Sequence, residues 1–318
     1  MTLRRSAAWR PEMKIWILPL ATILGFLSCR HAEKQGSAPA YHFVSDGRAV
    51  VPFELTKNVM FFQIHVKGSS QMLWFNLDSG AGSSYMDAQV AKKLGLQTVG
   101  SGTVHGAGAG DVHVEYVDSV TFELPGLESA NHRLKVTDFK ALNEQFGRAE
   151  DGLLGYDFLS RYAVVVDYAQ QRMTIYDPAN FKYTGSGTAF PVHFRDGWPY
   201  VNATIKVKGL DAQSGEFLVD SGSGDAVDHP AILKSTGPLR KTRTGVGFGR
   251  PGEGALGKAE YFELGRYRLL TPITACCSDN PDDQQKIGGE VLRRFTVIFD
   301  YPNQRIILEP NRNFAEPF

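Results

Sequence analysis

The stretch that most constrains this chain is written twice. Residues 154–175 (LGYDFLSRYAVVVDYAQQRMTI) align without a gap on residues 287–308 (IGGEVLRRFTVIFDYPNQRIIL). Gly155, Leu159, Arg161, Val164, Asp167, Tyr168, Gln171 and Arg172 have identical partners in Gly288, Leu292, Arg294, Val297, Asp300, Tyr301, Gln304 and Arg305. Each copy reads as a glycine opening a short helix, an apolar strand, an Asp-Tyr turn with a polar pair, and a returning strand. Asp167 and Asp300 are expected to be turn residues, and Arg161 and Arg294 to serve structure on the short helices. A period of about 140 residues is far too long for a solenoid unit. Two similar lobes derived by duplication explain it, joined through residues 177–187 (DPANFKYTGSG).

The earlier parts of the two halves also correspond. Residues 64–68 (IHVKG) match residues 205–209 (IKVKG), and each is followed by an apolar, strand-like segment running into Asp-Ser-Gly: FNLDSGAG at 75–82 and FLVDSGSG at 217–224. Asp78 and Asp220 are thus delivered on tight turns that end buried strands. A single Asp-Ser-Gly is weak evidence, because Asp and Gly are common turn formers and Ser often caps. Two in register suggest carboxylates brought face to face, an arrangement that activates water for hydrolysis. After Asp78, residues 87–94 (DAQVAKKL) predict a short helix stopped by Gly95, and the second half has the weaker HPAILKSTG.

Glycine-rich stretches at 103–110 (TVHGAGAG) and 244–252 (TGVGFGRPG), flanked by alternating segments, predict hairpins with flexible tips. Residues 247–252 satisfy a dinucleotide glycine pattern, but no buried parallel strand precedes it and no helix follows, so the match is accidental. With 33 glycines and few long amphipathic runs, the chain is predicted to be all-β with a few short helices. Lys plus Arg equal Asp plus Glu at 34 each, so nothing points to nucleic acid. No His/Cys cluster stands at ligand spacing, so neither a metal nor another cofactor is expected. Cys276 and Cys277 lie in an apolar stretch and read as two buried thiols rather than a strained vicinal disulfide.

The first residues have a signal-peptide layout, with Arg4, Arg5, Arg10 and Lys14 ahead of an apolar run at 15–27. That run ends in Phe26-Leu27-Ser28-Cys29, which resembles a bacterial lipoprotein box with Cys29 as the lipidated residue, although Phe26 departs from the usual aliphatic. Ordinary cleavage and an uncleaved anchor stay open. The expected organisation is a leader at 1–29, a polar tether at 30–41, an N-terminal lobe at 42–183 and a C-terminal lobe at 184–318. An extracytoplasmic, membrane-anchored monomer follows.

Together these residues resemble the retropepsin-like aspartic proteases, and the duplicated form resembles the two-lobed pepsin fold, from about Val50 to Pro310. The resemblance implies two six-stranded-type β-barrel lobes and a catalytic dyad of Asp78 and Asp220. It implies supporting turns at Ser79, Gly80 and Ala81 and at Ser221, Gly222 and Ser223. The glycines permit close approach, and the serine hydroxyls can hydrogen-bond across the lobe interface. Leu153-Leu154-Gly155 fits the segment that holds the catalytic turn. Lys286-Ile287-Gly288 departs from it, with Lys where an apolar residue is usual, which implies an altered cradle or an alignment displaced by one residue. The first glycine-rich hairpin, with His105, Gly106 and Gly108, sits where the family has its flap, without a tyrosine at the tip. His105 and His113 are expected to be exposed.

The function implied is an aspartic endopeptidase acting on extended peptide or protein substrate. Ala81 removes a hydroxyl that would stabilise the ionised pair and Ser223 restores one. The dyad is therefore expected to titrate above that of a strongly acid protease, and Asp225 and Asp228 are expected in a solvated loop. The rival reading is a pepsin-like module that holds a peptide or surface partner without cutting it. Serine hydrolysis lacks a Gly-x-Ser-x-Gly elbow anywhere in the chain.

Overall fold

The computed structural model describes residues 41–105, 110–244, 247–249, 252–276 and 285–318. All of them belong to one of the chain's two units, residues 39–318. The expected leader, Cys29 and the tether as far as residue 40 lie outside the described residues, as do Gly106, Gly108 and Cys277. No helix among the described residues is long and apolar enough to cross a membrane.

The fold is all-β in two lobes, and its centre is the repeated segment. Strands Ala163–Asp167 (AVVVD) and Phe295–Asp300 (FTVIFD) are the middle of a six-stranded antiparallel sheet. Their near-continuous apolar character suits strands covered on both faces. They pair with each other so that Val165 faces Ile298, Ala163 faces Asp300 and Asp167 faces Thr296. Val165 and Ile298 are equivalent in the repeat, so a pseudo-two-fold axis passes between them. Outward on the first-half side lie Arg172–Tyr176 and Arg48–Pro52, and on the other side Arg305–Pro310 and Thr188–Pro191.

Each half then builds its own nine-stranded sheet. The cores of these sheets repeat as well. Phe75 meets Phe122 edge-on at 5.5 Å, and Phe217 meets Phe262 edge-on at 5.2 Å, with an interplanar angle of 69° in both. All four rings are fully buried, and each contributes about 2–3 kcal/mol by leaving water. Phe122-Glu123-Leu124 and Phe262-Glu263-Leu264 are the same tripeptide in the two halves.

The predicted helix forms over Ala88–Lys93, capped by the Asp87 carboxylate accepting from Gln89 N and Val90 N, and Gly95 ends it with a left-handed φ of +68°. Its weaker counterpart is a 3-10 helix over Pro230–Lys234, capped by His229. Gly68 and Gly209 turn their hairpins at φ +88° and +86°. No helix follows the glycines at 247–252, where strand Gly252–Leu264 begins.

The repeated polar residues serve structure in different ways. The Asp167 carboxylate accepts from Gln170 N in its turn, whereas Asp300 is fully buried and paired with Arg305 at 2.6 Å. Arg161 and Arg294 stand just beyond helices Tyr156–Leu159 and Gly289–Leu292; Arg161 donates to Ala130 O and Asn131 O, and Arg294 to Glu290 O of its own helix and to Pro317 O. One expectation is overturned: Cys276 is buried but disulfide-bonded, not a free thiol, and its partner lies outside the described residues. In an apolar environment a thiol and a half-cystine bury equally well, so hydrophobic context did not separate them.

Candidate active site

The two Asp-Ser-Gly turns are held by the same set of bonds. Strand Leu73–Leu77 leads to Asp78 and strand Gln213–Val219 to Asp220. Beside each runs a short parallel strand, Gly152–Leu154 in one lobe and Lys286–Ile287 in the other. The Asp78 amide donates to Leu154 O and the Asp220 amide to Ile287 O, both at 2.9 Å. This register equates Ile287 with Leu154 and Lys286 with Leu153, so the alignment of the second lobe is not displaced. Beyond the strand, Tyr156 N donates to Ala81 O and Gly289 N to Ser223 O.

Across the axis the turns interlock. Ser79 N donates to Ser221 Oγ at 3.0 Å and Ser221 N to Ser79 Oγ at 2.9 Å. The two hydroxyls in turn donate to Val219 O and Leu77 O at 2.7 and 2.6 Å. Each glycine of the triplets faces the opposite aspartate. A Cβ on Gly80 would stand 2.6 Å from Asp220 Cγ, and one on Gly222 would stand 2.4 Å from Asp78 Cγ. Gly80 N donates to Asp78 Oδ1, and Gly222 N and Ser223 N to Asp220 Oδ1.

The Asp78 side chain is hydrogen-bonded to that of Asp220, and its carboxyl titrates well above the ordinary range. Burial is the largest cause, then the charge of Asp220, while the Gly80 amide and the more distant Lys286 ammonium pull it back. The Ser223 hydroxyl accepts from Asp225 N, and the Ser223 amide donates to Asp220 Oδ1.

Asp225 is exposed as expected, but Asp228 is not in a solvated loop. It lies on strand Val227–Asp228, only 15% exposed, with Lys286 Nζ 3.3 Å from its Oδ2. The same ammonium stands 3.6 Å from Asp220 Oδ2. Antiparallel pairing sets Lys286 opposite Asp228 where the first lobe sets Leu153 opposite Tyr85. The lysine was visible in the sequence as a misfit, but its partner was hidden because a two-residue strand leaves no alternation to read.

The carboxyls open into a cleft of about 730 Å³ between the lobes. Lys57, Lys135 and Arg195 stand on its walls with Tyr85, Leu142 and Phe146. His105 ends strand Gly100–His105 of the first hairpin, exposed, and pairs with Asp111 across it at 2.5 Å; His113 is exposed too. The second hairpin, between strands Arg240–Thr244 and Gly252–Leu264, sends Phe248 over to the first lobe. There its ring stacks on Tyr85 at 4.9 Å and tilts against Phe139 at 5.0 Å.

The first of these turns, its hairpin and its supporting strand all fall in one segment. Residues 62–158 match the aspartyl protease family, of retropepsin type. The aspartyl protease match runs from strand Val59–Val66 through Asp78 and the first hairpin to the helix after Gly155. It supports a protease function. No curated protein matches the chain. Among the described residues no group of three or more His, Cys, Asp or Glu side chains is arranged to hold a metal ion.

Two groups near the cleft, one fully and one partly buried, escaped the sequence reading. Glu150 is fully buried, accepts from Asn76 Nδ2 at 2.8 Å, and its carboxyl titrates well above the ordinary range, through burial first and the nearby Asp78 charge second. Phe248 is the other. A lone Glu beside Asp151, and a Phe between glycines, carry no local signal for burial.

Proposed function

We propose that the chain is an aspartic endopeptidase whose dyad is Asp78 from lobe 42–183 and Asp220 from lobe 184–318, the lobes having arisen by duplication. The observation that carries this reading is the reciprocal contact of the two turns, with each carboxyl packed against the other lobe's glycine and hydrogen-bonded to its counterpart.

Two carboxyls this close share one proton. An extended peptide in the cleft brings its carbonyl over the pair, with a water between. The ionised carboxylate takes a proton from the water as its oxygen bonds to the carbonyl carbon, and the protonated carboxyl gives its proton to the carbonyl oxygen. The resulting diol collapses as the C–N bond breaks. A diol hydroxyl returns its proton to the dyad and the leaving nitrogen takes one, giving an acid and an amine. Ser79 and Ser221 fix the two turns relative to each other, as positioned groups require. The hairpin carrying His105 closes over the peptide from the first lobe and excludes water.

The test is cleavage of a peptide library, blocked by pepstatin and abolished by Asp78→Asn and by Asp220→Asn. Peptide binding without cleavage in the wild type would overturn it in favour of a binding module. We also propose that the chain is an extracytoplasmic lipoprotein lipidated at Cys29. Palmitate labelling lost in Cys29→Ala tests this.

A further inference from the structure

Around its pseudo-two-fold axis the site is symmetric in serines and in glycines. It departs from symmetry in one amide, since Asp220 Oδ1 accepts from both Gly222 N and Ser223 N where Asp78 Oδ1 accepts from Gly80 N, and in the side chains of one rung. In the first lobe that rung holds Leu153 opposite Tyr85, and in the second Lys286 opposite Asp228. The lysine side chain is only 7% exposed and lies between two carboxylates, Asp228 at 3.3 Å and Asp220 at 3.6 Å. Asp228 is therefore the anchor that holds the ammonium in place, and Asp220 is the dyad member it faces.

We infer that Lys286 breaks the equivalence of the dyad, holding the negative charge on Asp220 and leaving the shared proton on Asp78. An ammonium within 4 Å favours the ionised form of a carboxyl, commonly by 1–3 pH units. In a pair that shares a single proton, any such preference decides where the proton resides. The inference rests on the endopeptidase reading for its consequence: Asp220 becomes the group that takes the proton from water, and Asp78 the group that donates to the carbonyl oxygen. Lys286 itself is a positioning residue.

The other titratable groups facing the pair do not supply this asymmetry. Tyr85, Tyr168 and Tyr301 are held neutral by burial. Burial first of all raises the Glu150 carboxyl well above the ordinary range, and Asp225 is exposed. Removing Lys286 alone would leave Asp228 as a half-buried anion beside Asp220, which damages folding as well as charge. The informative variant therefore transplants the first lobe's own rung, Lys286→Leu with Asp228→Tyr. Lys286→Met with Asp228→Asn is a second, nearly isosteric version.

The experiment follows the carboxyl carbons of aspartate-labelled protein by NMR through pH, with the two signals assigned from Asp78→Asn and Asp220→Asn. In the wild type, over the range where the pair holds one proton, Asp78 is expected at the protonated position and Asp220 at the ionised one. In either double variant the two signals move toward each other, because the cation facing Asp220 is gone while the net charge of the rung stays at zero. Equal signals in the wild type, the proton on Asp220, or signals unmoved in a folded double variant would overturn the inference. The NMR readout needs no substrate. A chain that cleaves nothing therefore refutes the endopeptidase reading and leaves the charge placement to be decided by itself.

Discussion

Ser79 and Ser221 hold each other across the pseudo-two-fold axis: each amide donates to the other's hydroxyl, at 3.0 and 2.9 Å, and each hydroxyl donates onward to a carbonyl of the opposite lobe. All four bonds are buried, so removing one hydroxyl leaves an amide and a carbonyl without partners at a cost of about 1–3 kcal/mol. Ser79→Ala and Ser221→Ala are each expected to lower stability by about 2 kcal/mol. The double variant should cost less than the sum, since each change disrupts the same interlock. Urea denaturation of the four proteins checks this, and strict additivity would show that the bonds act independently.

The glycines beside them are needed for space. At Gly222 a Cβ would stand 2.4 Å from Asp78 Cγ, and at Gly80 2.6 Å from Asp220 Cγ, inside any tolerated contact. Neither residue has a left-handed φ, so alanine is resisted by the opposite carboxyl and not by the backbone. Gly222→Ala and Gly80→Ala are expected to push the carboxyls apart and reduce kcat by at least a hundredfold, on the order expected when a reacting group is displaced by about 1 Å. Near-wild-type kcat in either variant would argue against a shared dyad.

Much of this was legible in the sequence because the repeat is long and the turns carry their own chemistry. The all-β class, the helix at Ala88–Lys93 and the serine contacts across the interface follow from residues that dictate local geometry. What escaped depends on partners brought from afar. The Lys286–Asp228 pair joins residues 58 positions apart in sequence through a two-residue strand. Glu150 is fully buried and bonded to Asn76, 74 positions away, and Phe248 is partly covered by Tyr85 and Phe139 of the opposite lobe. The bonded state of Cys276 likewise depends on a partner that composition does not name.

Glu150 gives a stability effect of definite sign. Its carboxyl titrates above the ordinary value, so the folded state holds a proton that the unfolded state releases near pH 4.5. The contribution is complete below that pH and is lost as pH rises through the folded value, by up to about 1.4 kcal/mol per unit. Glu150→Gln keeps an acceptor for Asn76 Nδ2 and never ionises. It is expected to match the wild type near pH 4 and to exceed it increasingly toward neutrality, as thermal melts across pH would measure. A variant less stable than wild type at pH 7 would show that the carboxylate is tolerated when charged.

His229 works in the opposite direction. It accepts from Ala231 N through Nδ1 at 3.1 Å, capping the 3-10 helix, and burial lowers its pKa to about 4. The unfolded state therefore binds a proton between pH about 4 and 6.5 that the folded state does not. Stability is expected to fall through that window as pH decreases, by up to about 1.4 kcal/mol per unit. His132, buried and likewise shifted down, adds to the same slope despite its Asp157 partner. His229→Asn retains a capping side chain without the titration. It should flatten the pH dependence of stability, and an unchanged slope would remove His229 as its source.

Phe248 bears on substrate choice. Its ring covers the first lobe's Tyr85 and Phe139, on a wall of the cleft that an apolar substrate side chain would seek. An aromatic residue from a peptide can use that wall only by displacing the ring, and such contacts contribute about 1 kcal/mol. Phe248→Ala is therefore expected to lower KM roughly fivefold for peptides with an aromatic residue at the favoured position. It should leave peptides with alanine there unchanged. Matched peptide pairs measured against wild type and variant separate the alternatives. A higher KM for the aromatic peptide alone would mean that Phe248 is part of the wall that receives it, not a competitor for it.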